Sequence, residues 1–214
     1  MPKRFRTTMM ITTLGGLTAL TAAGTAFGAS PAPAASSPAS QRPGFLAAPD
    51  LPVRPGAPWT AGRITAGAAP DVELDLCLGR ALGGGSGSWY REFRTDLDTS
   101  ARQIAVRTPS VAAAKGRYAR VDQDIRSCAR RIERADPEVE ATLRDYGRLH
   151  VEEGAHVYGL HTETSWGASD IRLISVGRDG TRVTVVDWRQ MGDFADAPVK
   201  AFRKTTVTAV DKLR

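Results

Sequence analysis

The sequence predicts an α+β domain: an antiparallel β-sheet of about six strands packed with a long central helix and a C-terminal helix. Three observations carry that expectation. Short runs rich in Val, Ile and Thr alternate in polarity through the second half of the chain. Asp179-Gly180 joins two of those runs as a tight hairpin would. Apolar or small residues also recur by threes and fours, first from Val111 to Ile132 and again from Val199 to Leu213, as on the buried stripe of a helix.

At the start of the chain, Lys3, Arg4 and Arg6 precede an uncharged stretch from Met9 to Phe27, and the small residues Ala26 and Gly28 then suit a signal peptidase. Residues 1–28 therefore read as a secretory signal peptide, cleaved near Gly28 or Ala29. With no cysteine at that point, a lipid anchor is excluded. Residues 29–70 are rich in Pro, Ala and Ser, the composition of a disordered linker, although "FLAAPDLP" and "PWTAGRI" are apolar enough to lie along a folded body. Residues 71–214 form the expected folded domain, long enough for a hydrophobic core.

Within that domain, "DVELDLCLGRAL" reads as a short helix, with the apolar residues at 72, 74, 76 and 78 leaving a strand open, and the "GGGSGS" stretch around residues 84–87 reads as a turn. "WYREFRT" and "ARQIAVRT" are strands joined by "DLDTS". A helix spans about Pro109 to Arg134, with Pro near its start and "ADPE" ending it. Four strands come next: "YGRLHVE" and "AHVYGLHTETS" around a Glu153-Gly154 turn, then "DIRLISVG" and "TRVTVVDW". Val183 and Val185 alternate with Thr184 and Val186, which implies one well-buried face and one mixed face. The last helix has Asp196 as its expected cap, Pro198 in its first turn, and Val199, Phe202, Thr206, Val210 and Leu213 on one face.

Composition narrows the function classes. The formal charge of +6 falls to +3 once Lys3, Arg4 and Arg6 leave with the leader. The arginines are scattered with no stripe of interleaved aromatics, so nucleic acid is not an expected partner. Nothing after the leader resembles a membrane span. In an exported chain, two cysteines most often form one disulfide. A catalytic cysteine needs a histidine partner and an electropositive, partly exposed setting. A zinc site needs closely spaced ligands. Cys128 instead lies on the buried stripe Val111, Ala114, Tyr118, Val121, Ile125, Cys128 and Ile132, so a structural Cys77–Cys128 bridge is expected.

The order of features resembles the PknH-like extracellular sensor domain, known from actinobacterial receptor kinases and from secreted stand-alone proteins. The matching pieces are "DLCLGRAL", the hairpin "WYREF…ARQIAVRT", the helix ending in "IRSCARRI", the strands "HVYGLHT" and "IRLISVGRDGTRVTVVDW", and the terminal "VKAFRKTTVTAVDKL". The resemblance covers most of residues 71–214. It implies a disulfide-stapled antiparallel sheet with helices, and a cleft for an unidentified ligand. Family members often carry a second disulfide, which this chain lacks, and no kinase domain is present. The family brings no catalytic residues with it.

Candidates for chemistry are few. His150, His156 and His161 lie near Glu152, Glu153 and Glu163, and would define the alternative function, a secreted hydrolase or metal-dependent enzyme. Their spacing matches no helix-borne zinc motif, and solvated strand histidines titrating near neutrality are expected instead. No G-x-S-x-G elbow or phosphate-binding loop is present. No catalytic residue, metal or cofactor is therefore assigned. Trp89, Tyr158 and Trp188 fall in strands, where packing is the default, whereas Trp166 belongs to a loop and is a fair anchor for a partner. The expected ligand contacts are Trp166, Tyr158 and His161. The resulting expectation is a secreted, non-enzymatic, sensor-like domain. Its cleft would take a small molecule, a lipid or a cell-envelope protein.

Overall fold

The computed structural model describes residues 42–69, 77, 78, 82 and 87–214. The expected signal peptide, most of the helix expected around Cys77, and most of the glycine-rich turn lie outside the described residues. The class is α+β, as expected. Among the described residues seven strands form one antiparallel sheet: β1 (Thr60–Ala66), β2 (Ser88–Arg94), β3 (Ser100–Arg107), β4 (Val139–Leu149), β5 (Ala155–Thr164), β6 (Ser169–Asp179) and β7 (Arg182–Met191). Their order across the sheet is β1-β2-β3-β7-β6-β5-β4. Helices α1 (Val111–Arg126) and α2 (Cys128–Ala135) connect β3 to β4, and α3 (Val199–Asp211) comes after β7.

Side chains alternate across each strand, so register assigns every residue to one face. Ile104, Val106, Tyr158, Leu160, Ile174, Val176, Val183 and Val185 meet Ala114, Val121, Ile125 and Cys128 of α1 and α2, together with Cys77, Leu78 and Leu82. On the other face Phe93, Ala101, Val157, Ile171, Leu173, Val186 and Trp188 pack against Phe202 and Ala209 of α3 and against Leu46 and Leu51. Helices thus cover both faces. The run Val183–Asp187 is buried on its mixed side too, because Thr184 donates to the Ile104 carbonyl (3.0 Å) and Gln103 donates to Thr184 (3.2 Å).

Four expectations need correction. First, the folded body begins well before residue 71. The segment read as linker supplies β1 and an arm in which Phe45, Leu46 and Leu51 are buried. The Leu46 amide donates to Gln103 (2.7 Å), Arg91 donates to the Leu46 carbonyl (2.8 Å), and Thr205 of α3 donates to the Asp50 carbonyl (2.6 Å). Lys212 pairs with Asp50. The apolar run "FLAAPDLP" does lie along the body, as its composition allows, and it covers sheet surface beside α3.

Second, the long helix is two helices, broken at Ser127, whose hydroxyl bonds the Gln123 and Asp124 carbonyls (both 3.1 Å). Such back-bonding diverts carbonyls at the end of α1 and lets α2 turn toward β4. Ser110 caps α1 by accepting from the Ala113 amide (3.1 Å), and Val111, placed on the buried stripe, is exposed.

Third, the β4–β5 turn is not the two-residue Glu153-Gly154 turn but spans residues 150–154. Fourth, the residue before α3 is Pro198, with no side-chain cap, while Asp196 accepts from the Asp193 amide (3.0 Å). The Asp179-Gly180 hairpin stands, Asp179 pairing with Arg182 and Gly180 taking a positive φ of 54°.

Candidate functional site

The helical layer over the first face stops short of the end of the sheet formed by the β2–β3 and β5–β6 hairpins and the exit of β7. There a cleft of about 600 Å³ opens between the end of α2 and strands β5, β6, β7 and β3. A second hollow of about 360 Å³ continues toward β1 and shares Ser100 and Arg189 with the first. Register builds this floor in rows. Leu160, Arg172, Arg189 and Ser100 are successive cross-strand partners, flanked by a row of Thr162, Asp170 and Met191 and a row of Ile174, Asp187 and Arg102.

The walls differ in character. Ile132 and Ala135 of α2, Val139, Leu160 and Met191 are apolar, whereas the floor is ionic. Arg172 and Asp187, both buried, pair at 3.4 Å, and Arg189 donates from Nε to the Ser100 hydroxyl (2.9 Å). Arg172 lies directly opposite Arg189, a like-charge arrangement that disfavours strand pairing on its own. Asp98, Asp136 and Asp170 complete the lining. The ends of the hairpins carry exposed apolar residues. Leu97 adjoins Asp98, Met191 lines the cleft itself, and Trp166 tips the hairpin between Thr164 and Asp170.

The expected ligand contacts do not converge. Trp166 is 65% exposed, as a loop anchor should be, but Tyr158 is fully buried and His161 lies on the opposite face of β5. His161 Nε2 sits 2.8 Å from the Ser169 hydroxyl, the spacing of a base and a nucleophile. Ser169 also donates to the Gly192 carbonyl (3.1 Å), and among the described residues no carboxylate meets His161. The pair therefore ties the β5–β6 hairpin to the exit of β7, on the face away from the cleft.

The three histidines do not form a cluster. His150 is exposed in the β4–β5 turn, and His156 and His161 face opposite sides of the sheet. Among the described residues no three His, Cys, Asp or Glu side chains gather as a metal would require. His156, expected in solvent, is buried beneath α1. Its Nδ1 lies 3.0 Å from Asp122 and 2.9 Å from the Tyr158 hydroxyl, and its Nε2 lies 2.7 Å from Asp145, so each ring nitrogen faces a carboxylate. The Tyr158 hydroxyl donates to the same Asp122 oxygen (2.6 Å), and Arg126 Nε donates to its other oxygen (3.1 Å).

Burial alone would raise the Asp122 pKa, but hydrogen bonds from His156, Tyr158 and Arg126 overcome it and hold the carboxyl at about 2. Asp145 is lowered in the same way, against its own burial, by His156 and the Gly147 amide. The Tyr158 hydroxyl is pushed up, by burial first and then by its bond to Asp122. A carboxylate with a depressed folded pKa contributes stability that is complete above its unfolded value of 3.8 and is lost as pH falls through its folded value. Unfolding by urea from pH 5 to pH 2 should therefore show stability falling steeply between about 4 and 2. Asp122→Asn should flatten that fall; an unchanged slope would remove this network from the acid response.

The fold and the cleft define a class: a disulfide-linked α+β domain with an ionic, apolar-walled hollow at one end of its sheet. No protein-family model and no curated protein matches the chain. The Cys77–Cys128 disulfide is present, and no helix among the described residues is long and apolar enough to cross a membrane.

Proposed function

We propose that the chain is an exported, non-catalytic binding domain of the PknH-like sensor type, and that it takes a ligand from outside the cell into the cleft at the end of α2. The cleft itself carries this reading. Its volume lies in the range of small-molecule sites, and it joins an apolar wall to a few convergent polar groups. The opposed arginines Arg172 and Arg189 break a local rule of strand pairing, as functional sites often do. Export is supported by the leader-like first 28 residues and by the disulfide, which persists in oxidising compartments. A non-catalytic role agrees with a Ser169–His161 pair that lies off the cleft and lacks a carboxylate among the described residues.

The test is native mass spectrometry of the chain after exposure to an extract of the producing cell's envelope. Wild-type protein should carry an added small-molecule mass. Thr162→Trp, which fills the cleft from a half-buried position, should lose that mass while keeping the wild-type melting temperature within a few degrees. A bare mass for wild type in every extract would overturn the proposal.

A further inference from the structure

The lining of the cleft says more about its occupant, on the reading that the cleft is a binding site. Its charges have both signs and lie in order. Arg172 and Arg189 occupy the central row, and Asp170 stands two residues from Arg172 on the same strand and face, about 7 Å away by strand geometry. Asp98 and Asp136 add two further carboxylates at the edges, beyond the Asp187 already paired in the floor. Carboxylates therefore outnumber guanidinium groups around the hollow, and a simple anion such as a fatty acid meets net repulsion. A simple cation meets the two arginines at the centre. A ligand with an acid and an amine held apart satisfies both, because each guanidinium has five N–H donors and serves a ligand carboxylate alongside its existing contacts.

The third part of the lining is the apolar wall of Ile132, Val139 and Leu160, which needs a hydrocarbon group beside those two charges. Beyond it, exposed Trp166 offers a flat apolar surface at the tip of the β5–β6 hairpin, where a longer ligand would leave the cleft. We infer that the ligand is a short peptide with free termini and an apolar side chain. Its carboxylate lies over Arg172 and Arg189, its ammonium group at Asp170, and its side chain against the α2 wall.

Isothermal titration of the intact, disulfide-bonded chain with four probes tests this inference: tri-leucine, N-acetyl-tri-leucine, tri-leucine amide and dodecanoate. Tri-leucine should bind, and blocking either terminus should weaken binding at least tenfold. Asp170→Lys, at an exposed position, should weaken tri-leucine at least tenfold and leave the acetylated form within twofold of its wild-type value, an asymmetry that loss of structure would not produce. Dodecanoate binding as tightly as tri-leucine, equal binding of all three peptides, or no peptide binding would each overturn the inference. If a non-peptide mass nevertheless travels with wild type and is lost in Thr162→Trp, the cleft reading stands and only the peptide class falls.

Discussion

Replacing Cys77 and Cys128 together by alanine is expected to lower the free energy of unfolding by about 4 kcal/mol in the chain-entropy account of crosslinks. The two residues are 51 apart in sequence, so the bridge removes a large closed loop's worth of freedom from the unfolded chain. Both are almost fully buried in the core between α1, α2 and the sheet, and alanine adds no polar group there. For a domain of this size the change corresponds to a fall in melting temperature of about 10 °C. Equilibrium urea unfolding of the oxidised wild type and the double variant checks it. Alkylation of the native, non-reduced chain should label neither sulfur. A loss below about 1 kcal/mol would mean that the folded state is held without the bridge.

The bridge also positions the cleft. Cys77 lines it, and Arg131 of α2 donates to the Cys77 carbonyl (3.0 Å) and to the Asp124 carbonyl of α1 (2.6 Å). The α2 wall and the Cys77 segment are thus fixed to each other and, through Cys128, to the start of α2. Loss of the bridge should weaken ligand capture at temperatures where the variant is still folded.

Asp122→Ala should cost about 3 kcal/mol, the lower end of the range for removing one member of a buried ionic group. The carboxylate receives His156, Tyr158 and Arg126 together, and His156 and Tyr158 are buried with few other partners within reach. Without it the Tyr158 hydroxyl falls back on His156 Nδ1, 2.9 Å away, and the two groups share one hydrogen bond where water has little access. Tyr158→Phe in the same background should cost much less than in wild type, giving a coupling of at least about 1 kcal/mol in a double-mutant cycle. Additive effects would show that the Asp122–Tyr158 contact contributes little to holding α1 on the sheet.

The local features of this chain were legible from residue order. The alternation in "TRVTVVDW", the Asp179-Gly180 turn, the spacing of threes and fours through Val121, Ile125 and Cys128, and the inward-facing cysteines all depend on neighbours a few residues away. They identified the α+β class, the hairpin, the stretch of chain that α1 and α2 occupy, the helix α3 and the disulfide. The apolar run at Phe45–Leu51 is legible as a stretch that lies along the body, but a composition average over prolines and alanines sets the domain boundary too late, at residue 71. His156 was read as solvated because nothing in "EEGAHVYG" reveals that Asp122, some thirty residues upstream, will cover it.

The cleft belongs wholly to the tertiary structure. Arg102, Arg172, Asp187 and Arg189 look like scattered charges along the chain, and only the pairing of β3 with β7 and of β7 with β6 brings them together. A strand's own residues state which of them share a face, since side chains alternate by local geometry. Which strand lies beside it, and in what register, is decided by burying both faces of the whole sheet at once, and no local stretch contains that information.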